Sequence, residues 1–102
     1  MFIHYSSMVA VLTCMASIYG TEHHQLVTAN GEKYTGQQMT CALRAPPRNE
    51  HYRVSYNGRS ADCRHNDWGP ARWTNKCIDL SKAMGASLHM PGTGKVNVTR
   101  VK

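Results

Sequence analysis

The sequence predicts a mainly β domain: a small closed barrel of short strands carrying one or two short helices. Three observations predict it. An Asn57-Gly58 pair sits between two alternating runs, the strongest short-range hairpin signal, because both central residues of a type I′ turn need positive φ. Short valine- and threonine-bearing segments recur between turn residues, and one stretch only, after Asp79, has helical spacing.

In chain order, Met8 to Tyr19 reads as an N-terminal strand region, too short and interrupted to span a bilayer. Its apolar stretch Met8 to Ala16 lacks the preceding Lys or Arg of a signal peptide. Leu26-Val27-Thr28 and Met39 to Leu43 are shorter strand candidates, separated by the Asn30-Gly31 turn and Gly36. The hairpin pairs Tyr52–Tyr56 with Arg59–His65. Setting Tyr56 opposite Arg59 puts Val54 opposite Ala61 and Tyr52 opposite Cys63 on an apolar face. Arg53 then meets Asp62, and Ser55 meets Ser60, on the polar face.

The second hairpin strand must stop at Gly69-Pro70, since proline cannot donate to a ladder. Asp67 and Trp68 thus sit at a strand end. Leu80, Ala83, Met84 and Leu88 fit one face of a short helix with Asp79 or Ser81 near its N-cap, weakened by Gly85 and ended by Pro91-Gly92. From Lys95 to Val101, valines alternate nearly in register in a half-buried closing strand.

The chain's 102 residues allow one domain with one small core. Twelve Lys and Arg against six Asp and Glu give a net charge of +6, a field that favours anionic partners. The arginines scatter between Arg44 and Arg100 without a basic tract, so nucleic acid is not the expected partner. No CxxC, HxxxH or HExxH spacing occurs among the four cysteines and six histidines, and no metal is expected. The adjacent His23-His24 would point to opposite faces of a strand. The even cysteine count permits two bridges.

Four signatures then occur in order: Gly58-Arg59-Ser60, Asn66-Asp67-Trp68-Gly69-Pro70, Ile78-Asp79-Leu80-Ser81 and Gly92-Thr93-Gly94-Lys95-Val96. Upstream stand Ala16-Ser17-Ile18-Tyr19-Gly20, Thr28-Ala29-Asn30-Gly31-Glu32-Lys33-Tyr34 and Met39-Thr40-Cys41-Ala42. Together they resemble the rare lipoprotein A-like branch of the double-psi β-barrels, related to expansins. The resemblance implies a six-stranded double-psi barrel over residues 16–102, preceded by an N-terminal strand or extension over 1–15. It also places Cys63 and Cys77 where the family buries aliphatic residues, so the cysteines are expected to be buried thiols.

The resemblance further implies lytic transglycosylase-like cleavage of peptidoglycan glycan strands, without a cofactor; the alternative is a barrel without turnover that serves as a wall-binding or phage-tail structural module. That places the point of action outside the cytoplasm, in the cell envelope or as a secreted or phage-virion protein. Cleaving a glycosidic bond needs a carboxylic acid that delivers a proton to the leaving oxygen. Six carboxyl groups are present. Asp62 is accounted for by Arg53, and Glu22 and Glu50 lie in polar stretches without a motif. Asp67 matches the family's aspartate implicated in cleavage, with Trp68 to stack on a sugar; its alternative role is to bind amides of the Gly69-Pro70 turn. Asp79 matches a groove-lining aspartate in expansins, with helix capping as the alternative. Glu32 matches the family's groove glutamate, with a solvated turn as the alternative.

Tyr19, Trp73 and Arg44 are candidate substrate contacts, an aromatic face for sugars and a guanidinium for carboxylates. For Trp73 the alternative is core packing. One departure stands out: the family's T-A-A stretch continues into a histidine, and here into Leu43. His65, two residues before Asp67, would share its face by strand parity, and His51 lies near the same hairpin end; either is a candidate replacement, with a packed barrel residue as the alternative for His65.

Overall fold

The computed structural model describes residues 11–18 and 27–101. Within them, six strands form a closed barrel: β1 (Val11–Ile18), β2 (Thr40–Leu43), β3 (His51–Tyr56), β4 (Arg59–Trp68), β5 (Lys76–Leu80) and β6 (Thr93–Val101). A 3₁₀ turn, Arg72–Thr74, links β4 to β5, and one helix, α1 (Lys82–Leu88), links β5 to β6. The order around the barrel is β1-β5-β2-β4-β3-β6, and β6 closes onto β1. β1–β5 and β2–β4 run parallel and the other neighbours antiparallel, a mixed arrangement that agrees with the double-psi expectation. β1 straddles residue 15, the expected border between extension and barrel.

The hairpin has the expected register at each of its five predicted pairs. Asn57 and Gly58 take φ of 50° and 84°, Arg53 bonds Asp62 at 2.8 Å, and the Ser55 and Ser60 hydroxyls meet at 2.8 Å. Val54 and Cys63 from this face join Ile78, Leu80, Val96 and Val98 in the core. Each fully buried aliphatic side chain there contributes about 1.5–3 kcal/mol.

Ser81, not Asp79, caps α1, its hydroxyl accepting from Met84 N at 3.2 Å. The helix ends earlier than Pro91-Gly92: His89 takes φ 55° and returns its N–H to the last turn. A Cβ at Gly85 would meet the Ile18 side chain of β1, which would have to shift. The low helix propensity of glycine is the cost of seating α1 against the barrel.

Two expectations need correction. The Leu26–Thr28 strand reduces, within the described residues, to a single Val27–Lys33 bridge of a tight turn, since Thr28 N already bonds Glu32 O at 2.6 Å and Gly31 N bonds Thr28 O at 2.9 Å. The cysteines are not free thiols. Cys14 bonds Cys77 and Cys41 bonds Cys63, with Cα separations of 6.0 and 5.7 Å. Each bridge ties one of the two parallel strand pairs, where pairing is weaker per residue than in antiparallel ladders. Partners 63 and 22 residues apart in sequence are joined only by topology.

Candidate functional site

Each parallel pair carries a bulge. Met15 and Ala16 of β1 face Lys76 and Ile78, leaving Cys77 as the extra residue. Cys41 and Ala42 of β2 face His65 and Asp67, leaving Asn66 as the extra residue. The second bulge sets the site, because an inserted residue reverses the parity that follows it. His65 therefore packs inside, fully buried, and does not share the outward face of Asp67 as strand counting predicts.

Past the bulges, four strands contribute to one row: Ser17 opposite Asp79, Asp79 opposite Ala42, and Ala42 opposite Asp67. Cys41 and Leu43 pack on the core side, so the row lies on the outer face. With strands about 4.8 Å apart, the two aspartate Cα atoms stand roughly 10 Å apart. Both aspartates are half-buried. Asp79 accepts a hydrogen bond from the Ser17 hydroxyl.

Asp67 Oδ1 accepts from Ala29 N at 3.1 Å and Trp68 N at 2.9 Å. Its Oδ2 has no hydrogen-bond partner among the described residues. The Gly69-Pro70 turn does not hold it: Gly69 N donates to Leu43 O at 2.7 Å. A Cβ at Gly69 would lie 2.6 Å from Leu43 Cα, which gives the physical reason for glycine in the Asn-Asp-Trp-Gly-Pro motif.

Glu32 is committed elsewhere. Its carboxylate takes a two-pronged bond from Arg64, 2.5 Å to Oε1 and 2.7 Å to Oε2, and a third from Asn66 Nδ2 at 3.2 Å. The Arg64 bond outweighs desolvation and holds the Glu32 pKa down at about 2. Glu32 therefore carries no proton to give at neutral pH. It fastens to β4 the turn whose Ala29 N–H orients Asp67. Arg64 also reaches Asn49 Oδ1 at 2.7 Å, to which Asn30 Nδ2 donates at 2.7 Å.

Trp68 is 56% exposed and Trp73 84% exposed, so Trp73 is not a core residue. Arg44 Nη1 donates to Pro70 O at 2.8 Å and Lys76 O at 2.6 Å, the two ends of the β4–β5 loop. His65 Nε2 lies 2.8 Å from Asp67 O, and its ring meets Tyr52 edge-on at 6.0 Å. Tyr19 and the His23-His24 pair lie outside the described residues.

Asp67 and Asp79 are thus brought into one row, the exposed Trp68 follows Asp67 at the strand end, Glu32 braces the turn that bonds Asp67, and His65 lies beneath. Arg64, Asn66 and Ser17 were missed as site residues, although Asn66 and Ser17 stand inside motifs already noted. Among the described residues no group of three His, Cys, Asp or Glu is placed to hold a metal, and no helix is long and apolar enough to cross a membrane.

Residues 11–100 match the family model described as lytic transglycolase, a double-psi β-barrel family. The chain belongs to the rare lipoprotein A-like family. It is 41% identical over 85 residues to the endolytic peptidoglycan transglycosylase RlpA of Pseudomonas aeruginosa, covering 81% of this chain and 25% of that one. It is 35% identical over 100 residues to the same-named protein of Campylobacter jejuni, covering 93% and 36%, and 36% identical over 85 residues to that of Vibrio cholerae, covering 81% and 32%. The chain therefore spans a quarter to about a third of the length of these relatives. Streptomyces papain inhibitor superposes with a TM-score of 0.73 at 23% identity, over 91% of this chain and 96% of that one, a likeness of fold.

Proposed function

We propose that this rare lipoprotein A-like barrel cleaves peptidoglycan glycan strands as a lytic transglycosylase, with Asp67 as the acid. The observation that carries the reading is the Asp67 carboxyl. It stands at a strand end beside an exposed indole, with Oδ1 pinned by two backbone N–H groups and Oδ2 unclaimed among the described residues. Pinning one oxygen fixes the orientation of the other, which is what proton delivery needs.

Trp68 stacks on a sugar ring and shields the carboxyl from water. Oδ2 gives its proton to the glycosidic oxygen as the C–O bond breaks. The sugar's own hydroxyl closes onto the anomeric carbon and returns a proton to the carboxylate, leaving an anhydro end, so no water is consumed. Asp79, across Ala42, binds glycan hydroxyls. The net charge of +6 draws the domain to an anionic wall. Two disulfides fit an oxidising, extracytoplasmic place of action.

Leu43 favours a second reading, a wall-binding module without turnover, because leucine can neither take nor give a proton where the resemblance puts histidine. Mass spectrometry of purified peptidoglycan after incubation with wild type and Asp67→Asn decides between them. Anhydro ends from wild type alone support the enzyme. Their absence from both, with the protein still sedimenting with the wall, leaves the binding module.

A further inference from the structure

The β4–β5 loop does more than connect. β2 lies between β5 and β4 in the barrel order, so a chain leaving β4 at Trp68 and entering β5 at Lys76 must cross over the end of β2. Arg44 is the residue that follows that end. A single guanidinium nitrogen of Arg44 holds both feet of the crossing, Pro70 O and Lys76 O.

Between those feet the loop is cross-braced. Thr74 donates to Ala71 O through both N, at 3.0 Å, and Oγ1, at 2.7 Å. Asn75, with φ 60°, returns its N–H to Arg72 O at 3.2 Å, and Lys76 N bonds Thr74 Oγ1 at 3.2 Å. Gly69 N presses the first foot onto Leu43 O. The side chain this bracing presents is Trp73, 84% exposed on a turn with no buried residue of its own.

Core packing does not account for so rigid a mounting of so exposed an indole. A contact surface does, since ordering the loop before the ligand arrives removes that cost from binding. The loop joins the strand of Asp67 to the strand of Asp79, so whatever lies along the row between them passes the end where Trp73 stands.

We propose that Trp73 forms a second sugar-stacking subsite for the glycan strand, beyond the ring at Asp67. Arg44 is its positioning residue, acting by holding the loop and not by touching substrate. The proposal rests on the glycan-directed reading above. Two carbonyls take up Arg44 Nη1, which is the basis of the positioning role given to it here.

The test uses Trp73→Ala, Arg44→Gln and the double variant, each checked for an intact unfolding transition. Binding is measured to glycan strands freed of stem peptides and to a single disaccharide unit. The expected result is about a tenfold loss of strand affinity for either single variant, which corresponds to about 1.4 kcal/mol. Disaccharide binding is expected to be unchanged, and the double variant no worse than Trp73→Ala, since the two residues act as one unit.

Trp68 and Trp73 are the only indoles, so in a Trp68→Phe background fluorescence anisotropy reports Trp73 alone. Arg44→Gln is expected to add a fast local rotation there. Unchanged anisotropy would overturn the role of Arg44, and wild-type strand affinity in Trp73→Ala would overturn the subsite. If wild type binds no strand, the glycan-directed reading falls and the subsite with it, while the anisotropy still decides whether Arg44 holds the loop.

Discussion

Removing either disulfide should cost a large part of the stability of this domain. The chain-entropy relation for a cross-link gives the size. For Cys14–Cys77, closing a loop of 63 residues, the loss is about 4.3 kcal/mol. For Cys41–Cys63, closing 22 residues, it is about 3.4 kcal/mol. Cys41 and Cys63 are fully buried, so truncating them to alanine adds a small cavity and narrows the gap between the two variants. The sum, about 8 kcal/mol, compares with a whole stability of about 5–15 kcal/mol for a domain. At about 4–8 °C per kcal/mol, the paired variant Cys41→Ala/Cys63→Ala should melt about 15–25 °C below wild type, and Cys14→Ala/Cys77→Ala at least as far. The melts are followed by far-ultraviolet circular dichroism, with free thiols counted in denatured, unreduced wild type. Four titratable thiols, or midpoints within a few degrees of wild type, would refute the bridging and the stabilisation drawn from it.

Glu32 predicts an acid limb to stability. Its pKa falls from 4.5 to about 2 on folding, so its contribution is complete above pH 4.5 and lost as pH falls from 4.5 to about 2. Because the side chain is one-third exposed, screening limits the effect to about 1–2 kcal/mol; urea midpoints of wild type should drop across that window and those of Glu32→Gln should not. Gly69→Ala forces a Cβ against Leu43 backbone and should lower the urea midpoint by the equivalent of about 1–3 kcal/mol, whereas an unshifted midpoint would mean that the loop is not pressed onto β2. Ser81→Ala removes the α1 cap and the Ser81 Oγ to Gln38 O bond of 2.6 Å, with an expected cost of about 1–2 kcal/mol, and a loss under 0.3 kcal/mol would count against the cap.

Much of the barrel was legible because local chemistry specified it. Asn57-Gly58 fixes a turn, the turn fixes a register, and the register accounts for Arg53, Asp62, Ser55 and Ser60. Gly69-Pro70 ends β4 for the same local reasons. What was not legible arises between distant segments. β5 is five residues long and its bulge at Cys77 breaks the alternation that would have announced it, while Ile78-Asp79-Leu80-Ser81 also reads as the approach to a helix. The bulge at Asn66 likewise defeats parity, which is why His65 seemed to accompany Asp67. The bracing of Glu32 by Arg64 joins residues 32 apart, and no spacing rule sees it. Asp67 and Asp79 were found through motifs; that they stand in one row comes from β2, which pairs parallel with β4 and antiparallel with β5.

The position of His65 bears on how this barrel can turn over. Nε2 sits between two backbone groups, Asp67 O at 2.8 Å and Leu43 N, which donates to it at 3.3 Å. Nδ1 is buried without a partner among the described residues, and the whole ring is enclosed with Tyr52 rather than turned toward solvent. No proton of a substrate on the outer face reaches either nitrogen. The imidazole can steady the backbone of Asp67, but it cannot stand in for a histidine at position 43. On the proposed reading, Asp67 gives the proton and takes it back. Asp67→Asn should abolish turnover at every pH, and His65→Gln should change its size without changing the shape of the profile. A bell-shaped profile whose acid limb disappears in His65→Gln would show that the buried ring takes part in proton transfer, and would overturn the assignment of both steps to Asp67.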